Sequence, residues 1–420
     1  MTLTPARRWC ALLALALGGF AIGTTEFVAM GLLPNIAQDL LPEVYAQSRE
    51  DGVAKAGWLI SAYALGVVVG APLFAVLARN MSRTRVLLGL VAIFVVGTVA
   101  SAVLPSFGLV LLSRFVAALP HGAYFGTASL VAASIMGPGS QGKGIAFVMS
   151  GLTISNVIGV PAVTWLGQLT DWRVAYLAVA GIFALTLVAV LLAVPSQPRS
   201  RGGSVKDELS IFRLPQAWLT MGAAAIGFGG FFAVYSYIAE VVTQVTRLSD
   251  SVVPWVLASI GVGMTVGNLV GGHLADRNQR VTLLVGMPVL IATLAGLALV
   301  AHTPIGLFVM AFAIGASNAV LIPSLQSRLI RIGGDAQLIA AALNHSAFNV
   351  GNSLGAFLGG AAIAAGFGYV APTVVGVALA TIGFGLILLS FALERRPRMR
   401  VEAQLVSASD AERQKEPALS

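Results

Sequence analysis

The chain has 420 residues, 57% of them hydrophobic and 10% charged, with a mean hydropathy of +0.88. Soluble domains carry about 25% charged residues, so a large soluble core is excluded, and the net charge of +8 is spread over many short loops and calls for no nucleic acid. One cysteine, Cys10, leaves no internal disulfide, and the scattered histidines His121, His273, His302 and His345 make no metal spacing.

Apolar blocks of about 20 residues, the length that crosses a bilayer as helix, predict an all-α polytopic membrane protein. The first block, 9–33, follows Arg7 and Arg8. It is too long for a signal-peptide core, and "EFVAMGLLP" offers no small-residue cleavage site, so it is read as the first span. Blocks 57–78, 85–104, 108–136, 145–166 and 173–194 follow. After a polar linker, 195–215, come 216–241, 253–273, 281–300, 305–328, 336–366 and 372–393. The eleventh block is overlong and is expected to tilt or to end near Ala362. The loop 35–56, "NIAQDLLPEVYAQSREDGVAKA", reads as a solvated excursion or a short interfacial helix. The tail 395–420 opens with "RRPRMR" and is expected to be disordered, anchoring against anionic lipid.

Loop charges give the orientation. Arg49, Lys55, Arg173 and Arg247 fall on one side and Arg114 inside a span; the rest of the 25 Lys and Arg fall on the side of the termini. This asymmetry predicts both termini in the cytoplasm. The chain also repeats itself. "WLISAYALGVVVGAPLFAVLARNMSR" (58–83) aligns without gaps with "WVLASIGVGMTVGNLVGGHLADRNQR" (255–280), matching Trp58 to Trp255, Gly66 to Gly263, Gly70 to Gly267 and Arg83 to Arg280. A weaker echo pairs Ser150, Asn156 and Gly159 with Ser346, Asn352 and Gly355. Two six-helix halves are expected, 1–194 and 216–394, joined by the cytoplasmic linker. Parallel repeats of this kind place a binding cavity between the halves near the membrane midplane.

The basic loop "GGHLADRNQR" (271–280) resembles the loop signature of the major facilitator superfamily. "LLSRFVAALPHGAYFG" (111–126) is similar to its fourth-span pattern, an Arg followed by small residues. "SGLTISNVIGVPAVTWLGQLTDWRVAY" (150–176) is similar to its fifth-span antiporter pattern. With "GTTEFVAMGLLPNIAQDL" (23–40), the set resembles the twelve-span drug:proton antiporter family, near bacterial chloramphenicol-resistance proteins and sugar-efflux permeases. The resemblance implies twelve transmembrane helices in two six-helix pseudo-repeats, the major facilitator fold. It also implies gating loops built on Arg79, Arg83, Asp276, Arg277 and Arg280. Two departures stand out. Arg79 occupies the place of the signature aspartate, which only the second copy keeps as Asp276, and Val160 separates Gly159 from Pro161.

Polar residues inside apolar spans point to the site. Glu26 lies eight residues before Pro34, roughly 12 Å below the end of its span, and Arg114 lies roughly 9 Å into the fourth. An ionised carboxylate at such depth needs a counter-charge or water. Glu26 is therefore the expected proton or substrate group, tuned by Arg114; a fixed lock between helices is the alternative. His121, two turns from Arg114 on the same face, is either a proton relay or a neutral imidazole on a backbone carbonyl. His345, Asn349 and Asn352 form one helical stripe that faces the cavity or another helix. Asn156 and Asn318 are mid-span amides, either substrate hydrogen-bonders or interhelical glue. Phe232 and Tyr235 belong to an aromatic set in the seventh span that suits a drug-sized pocket or simple packing. Gly351, Gly355 and Gly359 form a small-residue ridge for close helix packing. Asp171 with Arg173, and Glu240 with Arg247, read as ordinary boundary charges.

No P-loop, HExxH or GxSxG motif stands in the sequence, so a nucleotide-driven pump and those enzyme classes are not expected. The reading is not an enzyme but a monomeric secondary efflux transporter of the cell membrane, without cofactor or metal. Its partners are a small-molecule substrate, protons and the lipid bilayer. The substrate is a small amphipathic compound, a drug such as a phenicol or a sugar-like metabolite, exported in exchange for protons. An uptake permease or symporter for a nutrient on the same fold, and a non-transporting membrane sensor, are the alternatives.

Overall fold

A computed structural model describes residues 4–77, 81–137, 139–196, 209–333 and 337–413. Among these residues, 11 helices are long and apolar enough to cross a bilayer. One of them, Val253–Val300, has 48 residues, roughly 72 Å at 1.5 Å per residue and twice the thickness of a bilayer core. Its backbone is extended at Asn278 (φ −159°, ψ 85°). There the Asn278 Oδ1 accepts the Val281 N–H at 3.1 Å and caps a new helix. The chain turns back at this residue and crosses twice, which gives twelve spans and puts both ends on one face.

The first six spans are Pro5–Gly31, Trp58–Leu77, Arg83–Val103, Phe107–Met136, Gln141–Leu169 and Trp172–Ala193. The seventh is Pro215–Val245, the eighth and ninth share Val253–Val300, and the tenth is Pro304–Gly333. The eleventh is α-helical over Gln337–Ala362, as expected, and closes with a π turn, Ile363–Phe367. Positive φ at Gly366 and Gly368 lets the backbone leave the helix there. The twelfth begins at Ala371 and stays helical to Arg413. The expected disordered tail is thus corrected over this stretch: "VEAQLVSASDAER" carries neither Gly nor Pro to break a helix. The loop 35–56 is three short helices, Leu33–Leu40, Pro42–Gln47 and Arg49–Ala56, and not one. Pro34 and Pro42 sit at the first turns of two of them, where a missing N–H costs nothing.

The repeat in the sequence is also a repeat in packing. Gly66 and Gly70 of the second span press on the backbone carbonyls of Phe115 and Leu119 in the fourth. Gly263 and Gly267 of the eighth press on those of Phe312 and Ala316 in the tenth. Every one of these residues keeps the same sequence offset, so the two halves share a register through these spans. A Cβ at any of the four glycines would strike backbone, which is why small residues stand there. The glycine ridge of the eleventh span behaves as expected. Gly351, Gly355 and Gly359 lie against Ala225, Gly229 and Ala233 of the seventh. The first and seventh spans are the most enclosed, with 83% and 67% of their apolar windows buried. They form the centre of the bundle, and Glu26 is on the first.

Candidate functional site

Glu26 is buried, with 6% of its surface exposed, and its partners come from both halves. Its Oε1 accepts a long hydrogen bond, 3.5 Å, from Asn352 Nδ2 of the eleventh span. Its Oε2 lies 4.0 Å from His121 Nδ1 of the fourth. His121 Nδ1 is also 3.4 Å from the Tyr63 hydroxyl of the second span. The fourth span delivers His121 because it breaks. Phe107–Ala118 ends, Pro120 provides no N–H, and a second helix starts at His121.

Arg114 makes no fixed lock with Glu26, the alternative weighed for the pair; its hydrogen bonds go to the neighbouring residue. Its Nη1 donates to Thr25 Oγ1 at 3.1 Å and its Nη2 to the Thr25 carbonyl at 2.9 Å. The guanidinium stacks over Tyr63 at 4.3 Å and Tyr176 at 5.3 Å. The reason is helical geometry: Thr25 and Glu26 are successive residues, about 100° apart around the first span. Arg114 takes the face toward its own bundle, and Glu26 takes the face toward the other half. Arg114 still acts on Glu26 through its field. An Arg anchored this way holds the first span to the fourth.

The stripe of the eleventh span faces the N-terminal half. Asn352 meets Glu26 at one end, and His345 comes within electrostatic reach of His121 at the other. Asn349 lies between them, its Nδ2 donating to the His345 carbonyl at 3.1 Å. Phe232 and Tyr235 form the wall beside Glu26. Phe27 stacks with Phe232 at 6.5 Å between centroids and tilts on Tyr235 at 5.6 Å. The Tyr235 hydroxyl is buried without a hydrogen-bond partner.

The other sequence candidates lie apart from this cluster or outside the description. Asn156 lies in a π segment, Ser155–Gly159, of the fifth span, and its Nδ2 donates to the Leu152 carbonyl at 3.1 Å. Its own backbone carbonyl rests on Gly261 of the eighth span. Asn318 is buried in the tenth span with its Oδ1 unpaired. Of the gating loops, Arg79 lies outside the described residues. Arg83 begins the third span and is half-buried. Asp276 and Arg277 are exposed, and Arg280 stacks over Phe391 at 4.7 Å.

A second junction joins the halves on the face opposite the termini. Glu240, with none of its side chain exposed, receives a two-pronged bond from Arg49 Nε and Nη2, both at 3.1 Å. The paired charge of Glu240 is therefore Arg49 and not Arg247, which corrects the boundary-charge reading. Arg173 differs in the same way. Its Nη2 meets Asp39 at 2.9 Å, and Asp39 also accepts from the Trp172 indole at 3.0 Å. Asp171 does keep a boundary role, accepting the Arg173 N–H at 2.7 Å as N-cap of the sixth span. The short helices of 33–56 are thus fixed to the first half by Asp39 and latched to the second by Arg49. The bonds that tie the halves, Arg49–Glu240, Ser61–Ser353 and Glu26–Asn352, lie at the level of Glu26 or toward this face.

Tyr63, Thr25 and the Arg49–Glu240 pair were missed by sequence reasoning. Tyr63 and Thr25 look like any residue of an apolar span. Arg49 and Glu240 are 191 positions apart, and nothing local signals their meeting.

Comparisons with known proteins agree with this architecture. The chain matches the family model described as Major Facilitator Superfamily over residues 15–337 and 246–414. It is 38% identical over 386 residues to "Inner membrane transport protein YdhP" of Escherichia coli, covering 92% of this chain and 96% of that protein. It is 33% identical over 345 residues to a "Chloramphenicol resistance protein" of Streptomyces lividans, covering 81% of this chain and 86% of that protein. Among solved structures, a D-xylose–proton symporter aligns with a TM-score of 0.70 at 16% identity, over 89% of this chain and 97% of that one. An inward-facing bacterial homologue of the human lysosomal transporter Spinster aligns with a TM-score of 0.68 at 19% identity, over 92% and 98%.

Proposed function

From the premise that this chain belongs to the major facilitator superfamily, and so is a multi-pass membrane transporter and not an enzyme, we propose that it exports a small amphipathic compound in exchange for protons. Two six-helix halves rock about the Glu26 level in the cell membrane, with both termini in the cytoplasm. The observation that carries this reading is the position of Glu26, a buried carboxylate bonded across the junction of the halves to Asn352. Rocking must break that bond. The carboxylate then needs a new partner, because a lone charge in a low-dielectric interior is costly. A proton from water, or a donor group on the substrate, supplies one. Competition between the two for Glu26 is the coupling.

Support for the substrate class comes from the aromatic wall of Phe27, Phe232 and Tyr235 beside the carboxylate, which suits an amphipathic molecule. The likeness to a chloramphenicol resistance protein makes a phenicol the first compound to try. The test is a survival and accumulation panel in an efflux-deficient bacterium, comparing the wild type with Glu26→Gln at matched expression. Phenicols, other amphipathic antibiotics, dyes and sugars are supplied in turn. Protection by the wild type and none by the variant is the expected result. Inward accumulation of any of these compounds by the wild type would reverse the direction proposed.

A further inference from the structure

The amides of the eleventh span carry information about the ligand, beyond their place in the junction. Asn349 uses its NH2 on the His345 carbonyl, and Asn352 uses its NH2 on Glu26 Oε1. Only an NH2 can donate to a backbone carbonyl or to an ionised carboxylate, so chemistry fixes the Asn349 amide, and the Asn352 amide while Glu26 carries its charge. Each side chain therefore presents its carbonyl oxygen, and both Oδ1 atoms are buried with no partner. The stripe they stand on meets the N-terminal half at Glu26, and the next residue of its helix, Ser353, accepts from Ser61 of the second span. Asn352 thus stands at the junction of the halves, and Asn349 lies one helical turn from it.

The charge inventory points the same way. The one fixed cation in this layer among the described residues is Arg114. It is 1% exposed, bonded to Thr25 and enclosed between two tyrosine rings. Nothing else near Glu26 is obliged to be positive. The layer holds a carboxylate and two amide oxygens as acceptors, and its unpartnered donors, the Tyr235 hydroxyl and Arg114 Nε, are carried by other helices than the amide stripe. Unpaired buried acceptors are costly, and a ligand that satisfies them recovers that cost.

We infer that Asn349 and Asn352 form an acceptor subsite beside Glu26 that takes a ligand bearing at least two hydrogen-bond donors, hydroxyl, amide N–H or ammonium, and turns away anions. This rests on the reading of the junction as the transport site. An amphiphile enters with its apolar part against Phe27 and Phe232. Its donors then reach the two amide oxygens, while a carboxylate or phosphate in the same place would face Glu26.

The experiment uses the purified full chain and equilibrium binding to matched triplets. Each triplet is a donor-bearing neutral compound, its O-acetylated form and its anionic hemisuccinate. One set is built on chloramphenicol and one on an aryl glucoside. The expected result is binding of the donor-bearing member, at least tenfold weaker binding of the acetylated member, and none of the anion. Asn349→Leu should lower affinity for the donor-bearing member roughly tenfold, the size of one net hydrogen bond, and leave the acetylated member unchanged. Asn349→Asp, which keeps an acceptor oxygen in place, should restore part of the loss. Tightest binding by a hemisuccinate or an acetylated member, or no binding by any member, overturns the inference. Flux in cells that depends on Glu26, seen together with a preference for anions, would overturn this inference and leave the proposed function standing.

Discussion

The two halves share a register of backbone contacts but not of charge. The offset that carries Gly66 and Gly70 onto Gly263 and Gly267, and their carbonyl partners Phe115 and Leu119 onto Phe312 and Ala316, also carries Arg114 onto Ala311 and His121 onto Asn318. The N-terminal half thus holds an Arg and a His where the C-terminal half holds an Ala and an Asn. The C-terminal half answers from another helix, with Asn349 and Asn352. Shared packing gives the two bundles the matched framework that the proposed rocking needs. Around Glu26 the polar groups of the two bundles therefore differ, with Arg114 and His121 from one and Asn349 and Asn352 from the other.

Substitutions at these positions test the difference between the halves. The largest effect is expected for Arg114→Ala, which strips two charge-assisted bonds from Thr25. Such bonds contribute about 1.5–3 kcal/mol each, so the purified variant should be recovered in much lower yield and melt several degrees lower than wild type. A full-strength, fully stable variant would remove Arg114 from its anchoring role. Next comes Gly355→Val. Its branched side chain would meet the Gly229 carbonyl of the seventh span, so transport should fall by roughly tenfold or more, with a lowered melting temperature.

His121→Asn makes the first half resemble the second. It should weaken gradient-driven transport several-fold and spare downhill exchange, measured in vesicles with and without a proton gradient. The reciprocal Asn318→His should do less, because no carboxylate stands beside Asn318. The latch is tested by charge exchange. Arg49→Glu and Glu240→Arg should each raise the reactivity of a reporter cysteine near Gly57 toward a membrane-impermeant maleimide, in a Cys10→Ser background. The double variant should return it toward the wild-type value. The smallest effect is expected for Asp39→Ala. Its bond to Arg173 is partly exposed, and exposed pairs contribute about 0–1 kcal/mol.

Most of the fold was legible from composition and periodicity, because a bilayer demands long uninterrupted apolar helices and little else satisfies the sequence. The turn at Asn278 was visible as a basic loop between two apolar blocks, although the helix runs up to it on both sides. The site was legible in part. Glu26, His121, His345, Asn349 and the glycine ridge stood out as exceptions in apolar helices. Their partners did not. Whether Arg114 meets Glu26 or Thr25 is decided by a rotation of 100° about the first span, which spacing along two separate helices does not specify. The Arg49–Glu240 latch depends on how far the helices of 33–56 reach across the bundle, and loop sequence carries little of that information.

The most direct test of the central claim is solute transport in proteoliposomes containing the wild type or Glu26→Gln, using the compound that emerges from the cell panel. Each protein is assayed for equilibrium exchange without a gradient and for uphill accumulation under an imposed proton gradient. The account predicts that Glu26→Gln keeps exchange and loses gradient-driven accumulation. Accumulation by Glu26→Gln at the wild-type rate would contradict it, and the buried carboxylate would then be a helix lock without a part in coupling.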